Sequence, residues 1–251
     1  MELENLNCFL IRGLGREVRH WGKFSKLMEK ECSFLHCLEL PGFGEKVNEV
    51  SPKTVRGCVE ELRKEFLEII GNIDNGSESV LCSVSLGGMI ALEWLSIFPE
   101  DFKYGIIMNT SAGNVSSLLE RIKFEGVLNL AKAIREENKR ERERNTFRLV
   151  SNRRVDEKIV NDWAYYAEEV APDKKNFFRQ LQAAFSFRVS DNIKVPILFL
   201  ASKRDRMVDF KCSEDLASLL DASIEYHLDA GHDMTLDDPK WVINKMKDFV
   251  S

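Results

Sequence analysis

Short apolar runs rich in β-forming residues alternate along this chain with longer stretches whose apolar positions recur every three to four residues. The first run, Asn7–Arg12, predicts a strand that stops at Gly13-Leu14-Gly15, and 24–30 predicts a helix. A second strand is expected at Ser33–Leu40, ended by Pro41-Gly42-Phe43-Gly44. Val59, Leu62, Phe66, Ile69 and Ile70 share one face of a helix over 55–70. After a turn-rich loop at Asn72–Ser79 come a strand at 79–83, a helix at 87–98 halted by Pro99, and a strand at Tyr104–Met108.

The rhythm breaks at Asn109–Gly113. From Val115 to about Asp191 the pattern is helical and charged, and the alternation then resumes. A strand at 195–201 (VPILFLA), a helix near 213–220, a strand at 223–228 and a helix at 239–250 complete it. Strands alternating with helices predict an α/β fold, a mostly parallel sheet of about six strands with helices on both faces. The chain divides into a first core part (1–113), a helical lid insertion (114–192) and a second core part (193–251).

Composition adds limits. The 251 residues are 44% hydrophobic with a net charge of −5, which disfavours nucleic acid as a partner of the whole protein. Met1–Asn7 is polar and acidic, no signal-like segment stands out, and no apolar run approaches the ~18 residues of a membrane span. The expectation is a cytoplasmic protein without membrane association. Six scattered cysteines lack CxxC spacing, so reduced thiols are expected rather than a zinc site or redox pair. No metal and no organic cofactor is expected.

The chemistry is carried at strand ends. In Ser83-Val84-Ser85-Leu86-Gly87-Gly88 an apolar strand turns at once into a helix. A residue at the apex of so tight a turn needs small neighbours two before and two after. Around Ser85 these are Ser83 and Gly87; around Ser83 they would be Leu81 and Ser85, and Leu81 is too bulky. Ser85 is thus the better candidate nucleophile, the alternative being a helix start with glycines for close packing. Of four histidines, His232 follows the last strand after Ala230-Gly231, whereas His227 falls inside that strand. Asp205 lies in the turn after VPILFLA, flanked by Lys203, Arg204 and Arg206; Asp209 reads better as a cap or a solvated charge.

These pieces resemble the α/β-hydrolase fold in the order nucleophile, acid, histidine. The elbow resembles its G-x-S-x-G pattern, with Ser83 in place of the first glycine. The resemblance implies an α/β-hydrolase fold with a helical lid and a Ser85–His232–Asp205 triad. It implies an oxyanion hole from the backbone N–H groups of Leu86 and Leu14, with Arg12 where the family usually has histidine. The sheet would begin at the family's third strand. The expected activity is a serine esterase or carboxylesterase cleaving a carboxylic ester or thioester through an acyl-enzyme. Alternatives of the same fold are a C–C hydrolase, a lyase or a catalytically silent binding module.

Residues 121–160 hold twelve basic and seven acidic side chains. The plainest account is a solvated helix laced with ion pairs. The chain is also similar, in size, order and lid charge, to the esterases that cleave pimeloyl-acyl-carrier-protein methyl ester in biotin biosynthesis. That likeness implies an acidic acyl carrier protein as partner, with Arg135, Arg140, Arg142 and Arg144 as candidate docking residues. The aromatics Trp163, Tyr165, Tyr166, Phe177, Phe178, Phe185 and Phe187 are expected to form lid core and, in part, an acyl channel.

Overall fold

The computed structural model describes residues 2–73 and 76–251. Six strands form one sheet: β1 (Asn7–Ile11), β2 (Phe34–Leu38), β3 (Ser79–Val84), β4 (Tyr104–Met108), β5 (Ile197–Ser202) and β6 (Ser223–His227). Their order is β2-β1-β3-β4-β5-β6, and every pairing is parallel. All six strands therefore end at the same edge of the sheet. The helices are α1 (Lys23–Met28), α2 (Val55–Asn72), α3 (Leu86–Ile97), α4 (Leu118–Arg121), α5 (Phe124–Arg135), α6 (Lys139–Val150), α7 (Glu157–Glu169), α8 (Lys174–Ser186), α9 (Lys211–Leu219), α10 (Met234–Asp237) and α11 (Pro239–Val250). Within the loop expected at 72–79, Asp74 and Asn75 lie outside the described residues, as does Met1.

Strand alternation sorts side chains to two faces. Phe9, Ile11, Leu81, Ile107 and Phe199 pack with α2, α3 and α9 on one side. Cys8, Leu10, Val80, Cys82, Ile106 and Leu198 pack with Trp21, α1 and α11 on the other. Both faces are covered, which is why the central strands read as nearly continuous apolar runs. Thr54 starts α2 by accepting the Gly57 N–H at 3.1 Å, and Val55, Cys58, Val59, Leu62 and Phe66 form its buried stripe.

Between β4 and β5 run α4 to α8. Here Phe147, Val160 and Trp163 make a small core of their own, between α6 and α7. The arginine-rich face of α6 is spent largely on internal pairs. Arg140 and Arg144 both reach the same Glu157 oxygen, at 2.7 and 2.6 Å. Among the described residues, no helix is long and apolar enough to cross a membrane. All six cysteines are unpaired.

The firmest part of the core is aromatic. Phe66 meets Phe9 edge-on at 4.8 Å, Phe102 at 4.8 Å and Trp94 at 5.6 Å. Phe66→Ala should therefore lower unfolding stability by about 3–5 kcal/mol, read as an earlier urea midpoint with an unchanged slope.

Candidate active site

Ser85, Asp205, His232 and the Leu14 loop lie at the carboxyl edge of the sheet, where open α/β sheets place their ligands. From Ser79 to Leu92 every residue is buried except Ser85. Its backbone has φ 58° and ψ −119°, a conformation that costs a non-glycine residue roughly 1–3 kcal/mol. The surroundings hold it there. The Ser85 N–H donates to the Met108 carbonyl at 2.9 Å, and the Thr110 hydroxyl donates to the Ser85 carbonyl at 2.8 Å.

Packing explains the glycines. A Cβ on Gly87 would stand 2.4 Å from the Ile11 carbonyl oxygen and 2.7 Å from that of Arg12. A Cβ on Gly88 would stand 2.8 Å from that of Thr110. The close approach that demands glycine at position 87 is between α3 and the end of β1. Ser83, fully buried, fits the position before the apex and donates to the Ile106 carbonyl at 3.4 Å.

His232 and Asp205 come together across the ends of β5 and β6. His232 Nδ1 lies 2.6 Å from Asp205 Oδ2, and both side chains are almost wholly buried. A carboxylate can only accept here, so Nδ1 carries the proton and Nε2 presents its lone pair. Asp205 Oδ1 accepts the N–H groups of Met207 at 2.7 Å and Val208 at 3.1 Å. Its basic sequence neighbours are engaged elsewhere. Lys203 bonds Glu214, Arg204 bonds Asp229, and Arg206 donates to the Arg148 carbonyl. Asp209 accepts the Lys211 N–H at 3.1 Å ahead of α9, and His227 accepts the Ala230 N–H at 2.9 Å as a structural residue of the last loop.

Burial alone would push the His232 imidazole down. The Asp205 charge and hydrogen bond, helped by Asp233 and opposed by Arg12, outweigh it and leave the ring above its ordinary 6.5. Among the described residues Ser85 Oγ has no hydrogen-bond partner, so the Ser85–His232 contact is open. Catalytic hydrogen bonds commonly tighten only when substrate is bound.

Two residues to which the sequence assigned no role hold these loops. Asn109, at φ 44°, accepts the Ser202 N–H at 2.8 Å and donates to the His232 carbonyl at 2.8 Å. Arg12 bonds Asp233 at 2.6 Å. The sequence signals were the break in rhythm at Asn109 and, for Arg12, a charge at the end of an apolar strand where the family usually has histidine.

The N–H of Leu86 opens α3 and has no intrahelical acceptor. The Leu14 loop lies alongside: a Cβ on Gly13 would be 3.6 Å from Ser85 Oγ. This loop is tied to the helical segment. Gly15 N–H donates to Gln180 of α8 at 2.9 Å, Arg16 pairs with Glu143 of α6 at 2.8 Å, and Arg19 pairs with Glu169 of α7. Between loop and helices lies a cavity of about 370 Å³, with Leu14, Phe43, Ile134, Arg142, Tyr166 and Phe177 in its wall. Of the expected lid aromatics, Phe178 also lines it, Trp163 and Phe187 are buried, and Tyr165 and Phe185 face solvent.

Residues 8–245 match the model of the Alpha/beta hydrolase family. Among solved structures, a lipase-esterase related protein from Clostridium acetobutylicum is 16% identical, with a TM-score of 0.74 over 98% of this chain and 95% of that one. An esterase from Exiguobacterium antarcticum is 14% identical, with a TM-score of 0.73 over 100% and 94%. The enol-lactonase of Burkholderia xenovorans is 17% identical, with a TM-score of 0.71 over 98% and 91%. At these identities the likeness shows the fold alone: the α/β-hydrolase fold with a six-stranded parallel sheet. No curated protein matches the chain by sequence.

Gly87→Ala tests the close approach. It should destabilise the protein by about 1–3 kcal/mol, because the atoms it strikes are backbone, and a thermal melt reads the loss.

Proposed function

Since the chain belongs to the Alpha/beta hydrolase family, we propose that it is a serine hydrolase acting on a carboxylic ester or thioester. The observation that carries the reading is the buried 2.6 Å contact between His232 Nδ1 and Asp205 Oδ2, at the edge where Ser85 stands strained and uncovered. In this reading substrate binding brings Ser85 Oγ to His232 Nε2. The imidazole takes the hydroxyl proton as Oγ attacks the acyl carbon. Asp205 holds the ring in the needed tautomer and stabilises the imidazolium. The N–H groups of Leu14 and Leu86 bind the tetrahedral oxygen, each such donor contributing about 2.7–4 kcal/mol. His232 then protonates the leaving alkoxide or thiolate, and the acyl group stays on Ser85. A water deprotonated by the same imidazole releases the acid. None of these steps calls on a metal or organic cofactor.

The finer reading is an acyl group delivered on an acidic carrier protein, of which the methyl ester of pimeloyl-acyl-carrier protein is one instance. It is supported by the excess of basic residues over 121–160 and by the largely apolar cavity beside Leu14. Of the candidate docking residues, Arg140 and Arg144 are already neutralised by Glu157. Arg142 pairs loosely with Glu143, at 3.7 Å, a carboxylate already engaged by Arg16, and Arg135 is exposed at the end of α5. Docking would therefore fall chiefly on Arg135 and Arg142.

A fluorophosphonate probe should label the wild type and leave Ser85→Ala unlabelled; labelling that persists in Ser85→Ala moves the nucleophile elsewhere. Asp205→Asn should lower kcat by about 10⁴, as for a wrong imidazole tautomer. The reactive form has a neutral His232, whose titration lies above 6.5. Hence kcat/KM on a p-nitrophenyl ester should rise with pH through a midpoint above 6.5 and fall away below it. With Arg135→Glu, turnover of carrier-bound esters should drop while small esters react as before; equal turnover of both removes the carrier reading.

A further inference from the structure

Arg12 is the residue that departs from the family's usual histidine, and it lies beside the proposed chemistry. It follows β1 directly, two residues before Leu14. Its side chain points to the α1 and α11 side of the sheet, with the guanidinium over the Trp21 ring at 4.6 Å. There Nη2 meets Asp233 Oδ2 at 2.6 Å, with both side chains more than nine-tenths buried. Asp233 directly follows His232. Its other oxygen accepts the Thr235 hydroxyl at 2.6 Å and the Leu236 N–H at 3.2 Å, which starts α10.

A buried charge that loses its partner is far more costly than the intact pair is favourable. The contact therefore joins two loops that share no strand pairing, because β1 and β6 lie four strands apart in the sheet. One loop carries the Leu14 N–H and the other carries His232.

We propose that Arg12 is a positioning residue. By clasping Asp233 it locks the Leu14 loop to the His232 loop and cancels a carboxylate that would otherwise stand uncompensated beside the imidazole. This deepens the hydrolase reading and rests on it.

The charges around His232 fix the sign. Asp205 bonds the ring, Asp233 adds a second negative charge from the same loop, and Arg12 opposes both from the end of β1. Farther out, Lys123 from the start of α5 donates to the Asp205 carbonyl, and Asp237 accepts the Gly231 N–H. Left alone, the two carboxylates would hold His232 protonated, and a protonated ring cannot act as the base. Arg12 returns the ring toward its neutral form while leaving the Asp205 bond intact. Its Nε and Nη1 have no hydrogen-bond partner among the described residues, so its hydrogen bonding is concentrated on the one carboxylate.

The test is a titration of His232 by NMR in protein carrying ¹³C-labelled histidine, compared among wild type, Arg12→Gln, Asp233→Asn and the double variant. Asp233→Asn removes a negative charge and leaves Arg12, so the imidazole should titrate at lower pH. Arg12→Gln leaves Asp233 unpaired, so it should titrate at higher pH. The double variant should fall between them. With a p-nitrophenyl ester, each single variant should lower kcat at neutral pH by roughly 10- to 100-fold with little change in KM, and Arg12→Lys should restore part of it.

Singles that shift His232 in the same direction, or a titration unmoved in both Asp233→Asn and the double variant, would overturn the clasp. Should Arg12→Gln not fold, Asp233→Asn and the neutral double variant still decide the sign. Because the ring is observed directly, a chain that takes no fluorophosphonate on Ser85 would sink the hydrolase reading while these shifts still report on Arg12.

Discussion

The site depends on one close approach. Helix α3 starts so near the end of β1 that position 87 has room for a hydrogen and nothing larger. With the helix pressed in, the chain leaving β3 must turn within one residue, and that residue is forced to a positive φ. The strain at Ser85 is the local cost of packing α3 tightly against the sheet, and it is offset by a core in which Met89 to Leu92, Trp94 and Leu95 are all buried. The same geometry leaves Ser85 uncovered in a run of buried residues and frees the first N–H of the helix. Exposure of the hydroxyl, orientation of the donor and strain in the backbone are thus a single constraint.

The elements most legible in the sequence were those whose pattern is set by burial alone. β4 and α11 match their expected bounds, β1 and β3 differ from theirs by one residue at one end, and α3 by one residue at each end. Helix α9 begins two residues before its expected start, and α2 runs two residues past its expected end. The short α10 was not foreseen: it is started by Asp233, whose value as a cap shows only once Arg12 is seen to hold it. Ser85 and Asp205 were legible because each follows an apolar strand at a tight turn, and His232 because it follows Ala230-Gly231 after the last strand. Their relation to Asn109 and Arg12 was not, since those contacts join residues up to 221 positions apart and have no local signature.

The charged stretch teaches the complementary lesson. Composition said that residues 121–160 are basic, but not which cations are free. Glu157 binds two of them at once, and Glu143, buried at the base of α6, answers Arg16. Arg16 is in turn stacked on Trp163 at 4.3 Å and donates to His20 Nε2 at 2.9 Å. His20 is fully enclosed, and desolvation together with Arg16, Arg12 and Arg19 keeps it neutral, well below the usual imidazole range. A cation count along the chain thus overstates what a partner would meet.

The three ties from the Leu14 loop to α6, α7 and α8 reach beyond the wall of the cavity. The helices that give the cavity its size also brace the backbone that would receive the oxyanion. Under the hydrolase reading, selectivity and turnover would share one set of bonds: a graft that replaces α6–α8 to admit a new acyl group would take away Glu143, Glu169 and Gln180, and with them the contacts that tie the Leu14 loop down.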